Sequence, residues 1–342
     1  MLMTKSGKMK VSPKFSLAGP QQRDKMLWGY LVHLGYNMWE DHGAEHRLHP
    51  DERIDYPART RLRCQEEAWD DYVEKLPAHG INLLVIDLGE GVRYESHPEL
   101  AVEGSWSVEK LKKKLATIRK LGVEPVPKLN FSAAHDVWLG KYSRMLSTDI
   151  YYGVCRDLIA EIIEIFGHPR FFHLGMDEET YAHQQHLLYA VVRHGELWWH
   201  DLYFLVKEVE KRDVAAWVWS DYLWNHEEEF LKKMPRSVIQ SNWYYGTDFR
   251  NDVNYVKAYL TLEKAGYKQI PTGSNHSHFE NFGQTVEFCR QHLSSANLLG
   301  FLQTVWRPTV KAWVDSHSLA MKAVKIARER IRGSVKKGIK EE

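Results

Sequence analysis

The chain is poor in cysteine. Its three thiols, Cys64, Cys155 and Cys289, lie far apart with no Cys-x-x-Cys spacing. That excludes a disulfide framework and a cysteine-based zinc site, and buried free thiols are the reading that remains. An excess of charge of either sign is missing too. Lys and Arg number 46 against 45 Asp and Glu, a formal net charge of +1, so nothing draws the chain to nucleic acid or to an anionic membrane surface. No apolar run approaches the ~18 residues needed to span a bilayer. The opening MLMTKSGKMKVSPKFSLAGP has no apolar core of signal-peptide length. The expectation is a soluble chain, cytoplasmic as written, and periplasmic or secreted only if a signal peptide has been removed. No GxGxxG or P-loop follows any strand-like run, which weighs against a nucleotide site. Nothing in the residues specifies an oligomeric state.

What the chain has in abundance is aromatic: 13 Trp and 17 Tyr in 342 residues. Core packing accounts for roughly half of such residues. The others need a reason for their positions, and the backbone pattern supplies one.

Apolar runs of strand length occur at Leu27–Leu34, Ile81–Leu88, Val123–Leu129, Phe171–Leu174, Ala215–Trp219, Ser237–Trp243, Tyr267–Thr272 and Gly300–Trp306. Helical periodicity fills the intervals. The clearest case follows Ser107, where Val108, Leu111, Leu115 and Ile118 form one stripe between Lys-rich faces and Gly122 ends the helix. A second runs from Asp149 to Phe166. Further helices are expected over Gln65–Ala78, Leu197–Arg212, Glu227–Met234, Asn251–Ala265, Thr285–Ser294 and Val310–Arg332.

Eight strand–helix pairs in alternation imply parallel strands with right-handed crossovers, and eight such units close into a barrel. An open doubly wound sheet is the alternative. The fold class expected is α/β, a single (β/α)8 TIM-type barrel over residues 21–335, with an N-terminal extension at 1–20 and a charged tail at 336–342. Residues 41–64 form a long polar insertion after the first strand.

In such barrels, chemistry gathers where the strands end at their C-terminal face. Strand 1 ends near His33, Asn37 and Trp39, strand 2 in Asp87 and Glu90, and strand 3 leads to Asn130, His135 and Trp138. Strand 4 runs into FFHLGMDEET, where Asp177, Glu178 and Glu179 stand in a row. Strand 5 delivers Trp219 and Asp221, strand 6 Asn242, Trp243 and Tyr244, strand 7 Asn275 and strand 8 Trp306. Indole faces with hydrogen-bonding groups and a carboxylate wall suit a sugar, whose C–H faces are apolar and whose rim is hydroxylated. Cleaving a glycosidic bond needs an acid for the leaving oxygen and a second group for the oxocarbenium-like centre. Crowded carboxylates and desolvating indoles would raise a Glu pKa toward that task. Both acids can serve one site only where the strand has already turned, because neighbours in a strand face opposite ways.

HLGMDEE resembles the H-x-G-G-D-E signature of glycoside hydrolase family 20, the β-N-acetylhexosaminidases. The stretch SHPELAVEGSWSVEKLKKKLATIRKLGVEPVPKLNFSAAH resembles that family's helix and strand ending in Pro-Gly-His, and INLLVIDLGEG stands where the family has a strand ending in His-x-His-Leu-x-Asp. The likeness covers strands 2 to 4, with Trp219-x-Asp221, Trp243 and Trp306 matching beyond them. It implies that Glu178 is the general acid/base and that Asp177 orients the substrate's 2-acetamido group, whose carbonyl oxygen is the internal nucleophile of a retaining, substrate-assisted hydrolysis. It implies substrate contacts from Asp87, Glu90, His135, Trp219, Trp243, Tyr244 and Trp306, to which the strand ends add Asp221 and Asn275. Tyr244 is the candidate hydrogen-bonder to the acetamido carbonyl. The expected partner is a carbohydrate, with no nucleic acid, membrane span, cofactor or metal. The chain departs from the pattern at Met176, where a second glycine is usual, at Ala133-Ala134, at Lys128, where an acid is usual, and in a first strand without arginine.

Other positions read as structural: Glu179 as a helix-start carboxylate, His173 as a barrel-core histidine, Trp198-Trp199 as packing, and His183 and His186 as solvated. Two other functions stay open. One is a metal-dependent sugar isomerase or hydrolase using His135, Asp177, Glu178 and Asp221, against which strand 1 lacks His-x-His and strand 8 ends without an acid. The other is a non-catalytic glycan-binding barrel.

Overall fold

The computed structural model describes residues 26–42 and 55–338. The expected N-terminal extension at 1–20 lies outside the described residues, as do 43–54 of the polar insertion and 339–342 of the tail. The strands are β1 (Leu27–His33), β2 (Leu83–Asp87), β3 (Glu124–Lys128), β4 (Phe171–His173), β5 (Ala215–Trp219), β6 (Ile239–Ser241), β7 (Thr272–Ser274) and β8 (Gly300–Thr304). All pair in parallel, in the order β6-β5-β4-β3-β2-β1-β8-β7. The ends of this sheet meet through isolated bridges, Gln240 with Gln269 and Trp243 with Thr272. Ile270 and Thr272 donate their N–H groups across that junction to the carbonyls of Gln240 and Asn242, each at 2.9 Å. The expected barrel is formed.

Strand residues alternate between two apolar layers, as a period of two requires. Leu27, Leu31, Leu83, Val85, Val126, Phe171, Trp217 and Leu302 fill one core cluster, inside the barrel. Trp28, Tyr30, Val32, Leu84, Ile86, Phe172, Val218 and Phe301 belong to the other, which meets the surrounding helices. Because both faces are covered, the strands read as continuous apolar runs.

The helices are α1 (Glu66–Lys75), α2 (Val108–Lys120), α3 (Asp149–Ile165), α4 (Glu196–Glu210), α5 (Tyr222–Asn225), α6 (Glu227–Lys233), α7 (Asn254–Lys264), α8 (Asn281–His292) and α9 (Val314–Gly338). Ser107 caps α2 by accepting from the Lys110 N–H at 3.2 Å, and the predicted stripe of Val108, Leu111, Leu115 and Ile118 is buried. Several boundaries shift from expectation, and three departures have more than an end residue at stake. β7 begins at Thr272 rather than Tyr267, since Pro271 has no N–H to give a ladder. The short α5 was not foreseen. α9 runs through 336–338, the first part of the expected tail. No helix among the described residues is long and apolar enough to cross a membrane.

Candidate active site

The turn after β4 decides whether Asp177 and Glu178 can work together. Gly175, Met176 and Glu178 all take left-handed backbone angles, with φ of 73°, 72° and 55°. For the two non-glycine residues this conformation costs on the order of 1–2 kcal/mol each. The strand's alternation is thereby broken, and both carboxylates reach one imidazole. His135 Nε2 lies 3.5 Å from Asp177 Oδ2 and 3.2 Å from Glu178 Oε2. Such strain persists only where surrounding contacts impose it.

Those contacts are visible. A Cβ on Gly175 would sit 1.9 Å from Asn130 Oδ1, so glycine lets the Asn130 amide lie against the turn. Asn130 Nδ2 donates to Asp177 Oδ1 at 2.8 Å, while its Oδ1 accepts from the N–H groups of Ser132 (3.0 Å) and Met176 (3.3 Å). Ser132 Oγ donates to the Asp177 carbonyl. From the next strand, Asp221 Oδ2 accepts the Glu178 N–H at 2.8 Å.

Charge in this cluster is unbalanced. Burial favours a neutral His135 ring, but Asp177 and Glu178 outweigh it and raise the pKa to about 9. Burial raises the Asp177 carboxyl, with His135 opposing and Glu178 adding to the rise. Asp221 is pushed well above the usual carboxylate range by burial and then by Asp177, and its Oδ1 has no hydrogen-bond partner. The two acids thus favour the charged form of His135, while burial and the neighbouring Asp177 disfavour the charged form of Asp221.

Above the turn lies a cavity of about 180 Å³. His135, Asp177, Glu178, Trp219, Trp243 and Trp306, all predicted, line it. Trp219 and Trp306 stand with ring centroids 6.0 Å apart, and Trp243 stacks on Tyr245 at 5.0 Å. Trp306 Nε1 donates to Tyr245 Oη at 2.9 Å, and Trp306 is itself left-handed, with φ of 50°. Asn130 and Trp39, noted at the strand ends, also line the cavity.

The other predicted residues are placed elsewhere. Tyr244 turns away onto Phe249 and Tyr255, and its neighbour Tyr245 faces the cavity. Asn275 Nδ2 donates to the Ser316 carbonyl at 2.9 Å, and its neighbour His276 lines the wall. Asp87 is buried in an ion pair with Lys128, 3.6 Å from His33 Nδ1. Glu90 is buried and accepts the N–H groups of Tyr36 (2.8 Å) and Asn37 (3.1 Å), clamping the chain after β1. Asp221 stands behind Glu178. Met38, Tyr56, Tyr245 and His276 are lining residues that sequence reasoning missed. The last two were each one residue from a named position. Tyr56, stacked on Trp39 at 4.6 Å, lies in the aperiodic insertion and carried no signal.

Of the structural readings, Glu179 is corrected. No helix starts there; its carboxylate is buried against Arg193, whose Nε donates to Oε1 at 2.6 Å. Arg193 Nη1 also donates to Asp201 Oδ2 at 2.9 Å. His173 is a buried core residue whose Nδ1 accepts the Gly175 N–H at 3.0 Å, and Trp198 and Trp199 are buried in packing. His183 is more than solvated, since its Nε2 lies 3.5 Å from Glu178 Oε1. Among the described residues, His135, Asp177 and Glu178 form the one group whose ligand atoms, all within 4.8 Å, can converge on a metal ion. The raised affinity of His135 for a proton competes with that use.

Several solved structures resemble this one. A Bacteroides fragilis β-N-acetylhexosaminidase superposes with a TM-score of 0.60 at 13% identity, over 88% of this chain and 65% of its own. For a Flavobacterium johnsoniae chitobiase the TM-score is 0.58 at 17% identity, over 77% of this chain and 46% of its own. Dispersin B gives 0.54 at 13% identity, over 89% and 99%. The fold is theirs. The chain thus spans less than two thirds of the first two proteins and nearly all of the third. No family model and no curated protein sequence matches the chain.

Proposed function

We propose that this protein is a glycoside hydrolase of the β-N-acetylhexosaminidase type, removing a terminal N-acetylhexosamine with retention through its substrate's own acetamido group. The observation that carries the reading is the left-handed turn after β4, which brings a buried carboxyl and a rim carboxyl to one imidazole beneath an aromatic cavity.

The roles follow from environment. Glu178, with its side chain 25% exposed, stands at the rim and protonates the departing oxygen; it then takes a proton from the incoming water. Asp177 is buried and held by Asn130, so it accepts the acetamido N–H and aims the carbonyl oxygen at the anomeric carbon. As that oxygen attacks, positive charge develops on the acetamido group, and Asp177 lies where it stabilises that charge. His135 lies between the two acids, its charge balancing Asp177 while Glu178 carries the proton that it donates. Trp219, Trp243 and Trp306 pack on the sugar and its methyl group, and Tyr245 takes the hydrogen-bonding role expected of Tyr244.

A panel of aryl 2-acetamido-glycosides and plain hexosides tests this. Turnover restricted to 2-acetamido sugars is the expected result. Turnover of plain hexosides would require a protein nucleophile, and binding without any turnover would leave a glycan-binding barrel.

A further inference from the structure

We propose that the C-terminal half of α9 is a docking surface for an anionic phospholipid bilayer, on which the barrel rests with its cavity facing away. This goes beyond the proposed hydrolysis and does not depend on it.

Net charge argues against an anionic membrane for the chain as a whole, but it conceals a segregation. Residues 322–337 hold seven Lys or Arg against one acid, Glu329, a local charge of +6 within a chain of +1. On α1 and α2, by contrast, opposite charges meet. Lys110 and Lys114 pair with Glu66, Lys114 also with Asp70, and Lys311 pairs with Glu67. On α9 they do not. Among the described residues, no ion pair or hydrogen bond holds Lys322, Lys325, Arg328 or Arg332, and Lys322, Lys325 and Arg332 are exposed. Burial, and then the Arg332 guanidinium, lower the Arg328 pKa from its ordinary value, so like charges crowd here. Complementing the helix dipole explains cations only in the last turn, and Lys322 and Lys325 lie well upstream of it. Unmatched charge of one sign attracts a surface of the other.

Position selects the partner. After β8, α9 starts at the end of the barrel that carries the cavity and runs back to the opposite end. There it packs on the turn before β2, where Gly80 has no Cβ to obstruct Arg328. The ten residues beyond Arg328 carry the helix about 15 Å further. Arg236 and Lys268, in the loops before β6 and β7, add charge to this end. Each is held by a backbone carbonyl, of Ala265 and Ala296, rather than by a carboxylate. A patch that guided a glycan to the acids would stand at the cavity mouth, and this one stands opposite it. In the sequence, the projecting turns combine Ile331 and Val335, four residues apart, with Arg332, Lys336 and Lys337. That is the composition of a helix that rests on anionic headgroups.

The test is co-sedimentation of the whole protein with vesicles of phosphatidylcholine, alone or mixed with phosphatidylserine. Binding to the anionic vesicles only, released by high salt, is expected. Each basic residue at such a surface is worth about fivefold in affinity, so Arg332→Gln, Lys336→Gln and Lys337→Gln together should weaken binding about 100-fold. A control variant with Lys112→Gln, Lys113→Gln and Lys141→Gln loses three exposed charges elsewhere and is expected to bind like the native protein. Equal losses in the two variants would trace binding to total charge and overturn the proposal. Failure of the native protein to bind anionic vesicles overturns it too, as does binding to heparin or duplex DNA in place of vesicles, which would make the partner an anionic polymer. Binding is read without substrate, so an absence of turnover would overturn the hydrolase reading and leave this one standing.

Discussion

Asp221 Oδ2 accepts the backbone N–H of Glu178 at 2.8 Å, so a side chain from the end of β5 holds the residue that β4 delivers in its left-handed conformation. Asp221→Asn keeps an acceptor oxygen and should retain most activity. Asp221→Ala removes it and frees the turn, and kcat should fall by up to ~10²-fold, the cost of misplacing a reacting group by about 1 Å. Steady-state kinetics of the two variants separate a hydrogen-bonding role from a charged one.

Glu178→Gln should lower turnover of unactivated substrates by ~10²–10⁴-fold, the usual worth of a positioned acid. Substrates with good leaving groups should suffer less in the first step. Asp177→Asn leaves the acid but weakens the aim of the internal nucleophile, so a good leaving group should not rescue it. Measuring both variants on one activated and one unactivated 2-acetamido-glycoside distinguishes the roles; equal losses for Glu178→Gln would remove it from the acid role.

His135 sets a pH dependence of stability. Its pKa rises from an ordinary 6.5 to about 9 in the folded protein, so the native state holds the proton more tightly than the unfolded chain. That contribution is complete below pH 6.5 and is lost as pH rises through about 9. Melting temperatures of the native protein should therefore decline across this window, and His135→Gln should flatten the decline. A parallel decline in the variant would assign the effect to other groups.

Arg193 holds Glu179 and Asp201 out of water. Arg193→Met leaves two buried carboxylates without their cation and should destabilise the fold by about 3–5 kcal/mol. Denaturant titration measures this, and a loss below 1 kcal/mol would show that water has entered to solvate the acids.

The barrel was legible because strands buried on both faces write themselves as apolar runs and the intervening helices keep their stripe. Trp219, Trp243 and Trp306 were legible because each lies at or just past a strand end. Strand phase decided the next residue: Trp243 and Tyr245, two apart, share the cavity face, and Tyr244 between them points away, an alternation that the choice of Tyr244 overlooked. Asp87 and Glu90 were visible as polar groups near the end of β2, but their partners come from β3 and from the chain after β1, and no local pattern announces such pairings. Met38 and Tyr56 come from irregular chain, which has no period to read. The turn at Asp177 was readable as a possibility through Gly175, whereas Met176 and Glu178 adopt left-handed angles that neither residue prefers.

Seven of the eight strand junctions are registered ladders, and the eighth, between β6 and β7, is held by isolated bridges. Together with the β3–β4 ladder, which is registered at the single pair Lys128 and His173, this junction is where amide protons are expected to exchange early, since local opening starts where few bonds must break together. Trp243 bridges to Thr272 at this junction and also walls the cavity. Opening of this junction would therefore move a wall of the cavity, and a ligand packed on Trp243 should slow exchange across it.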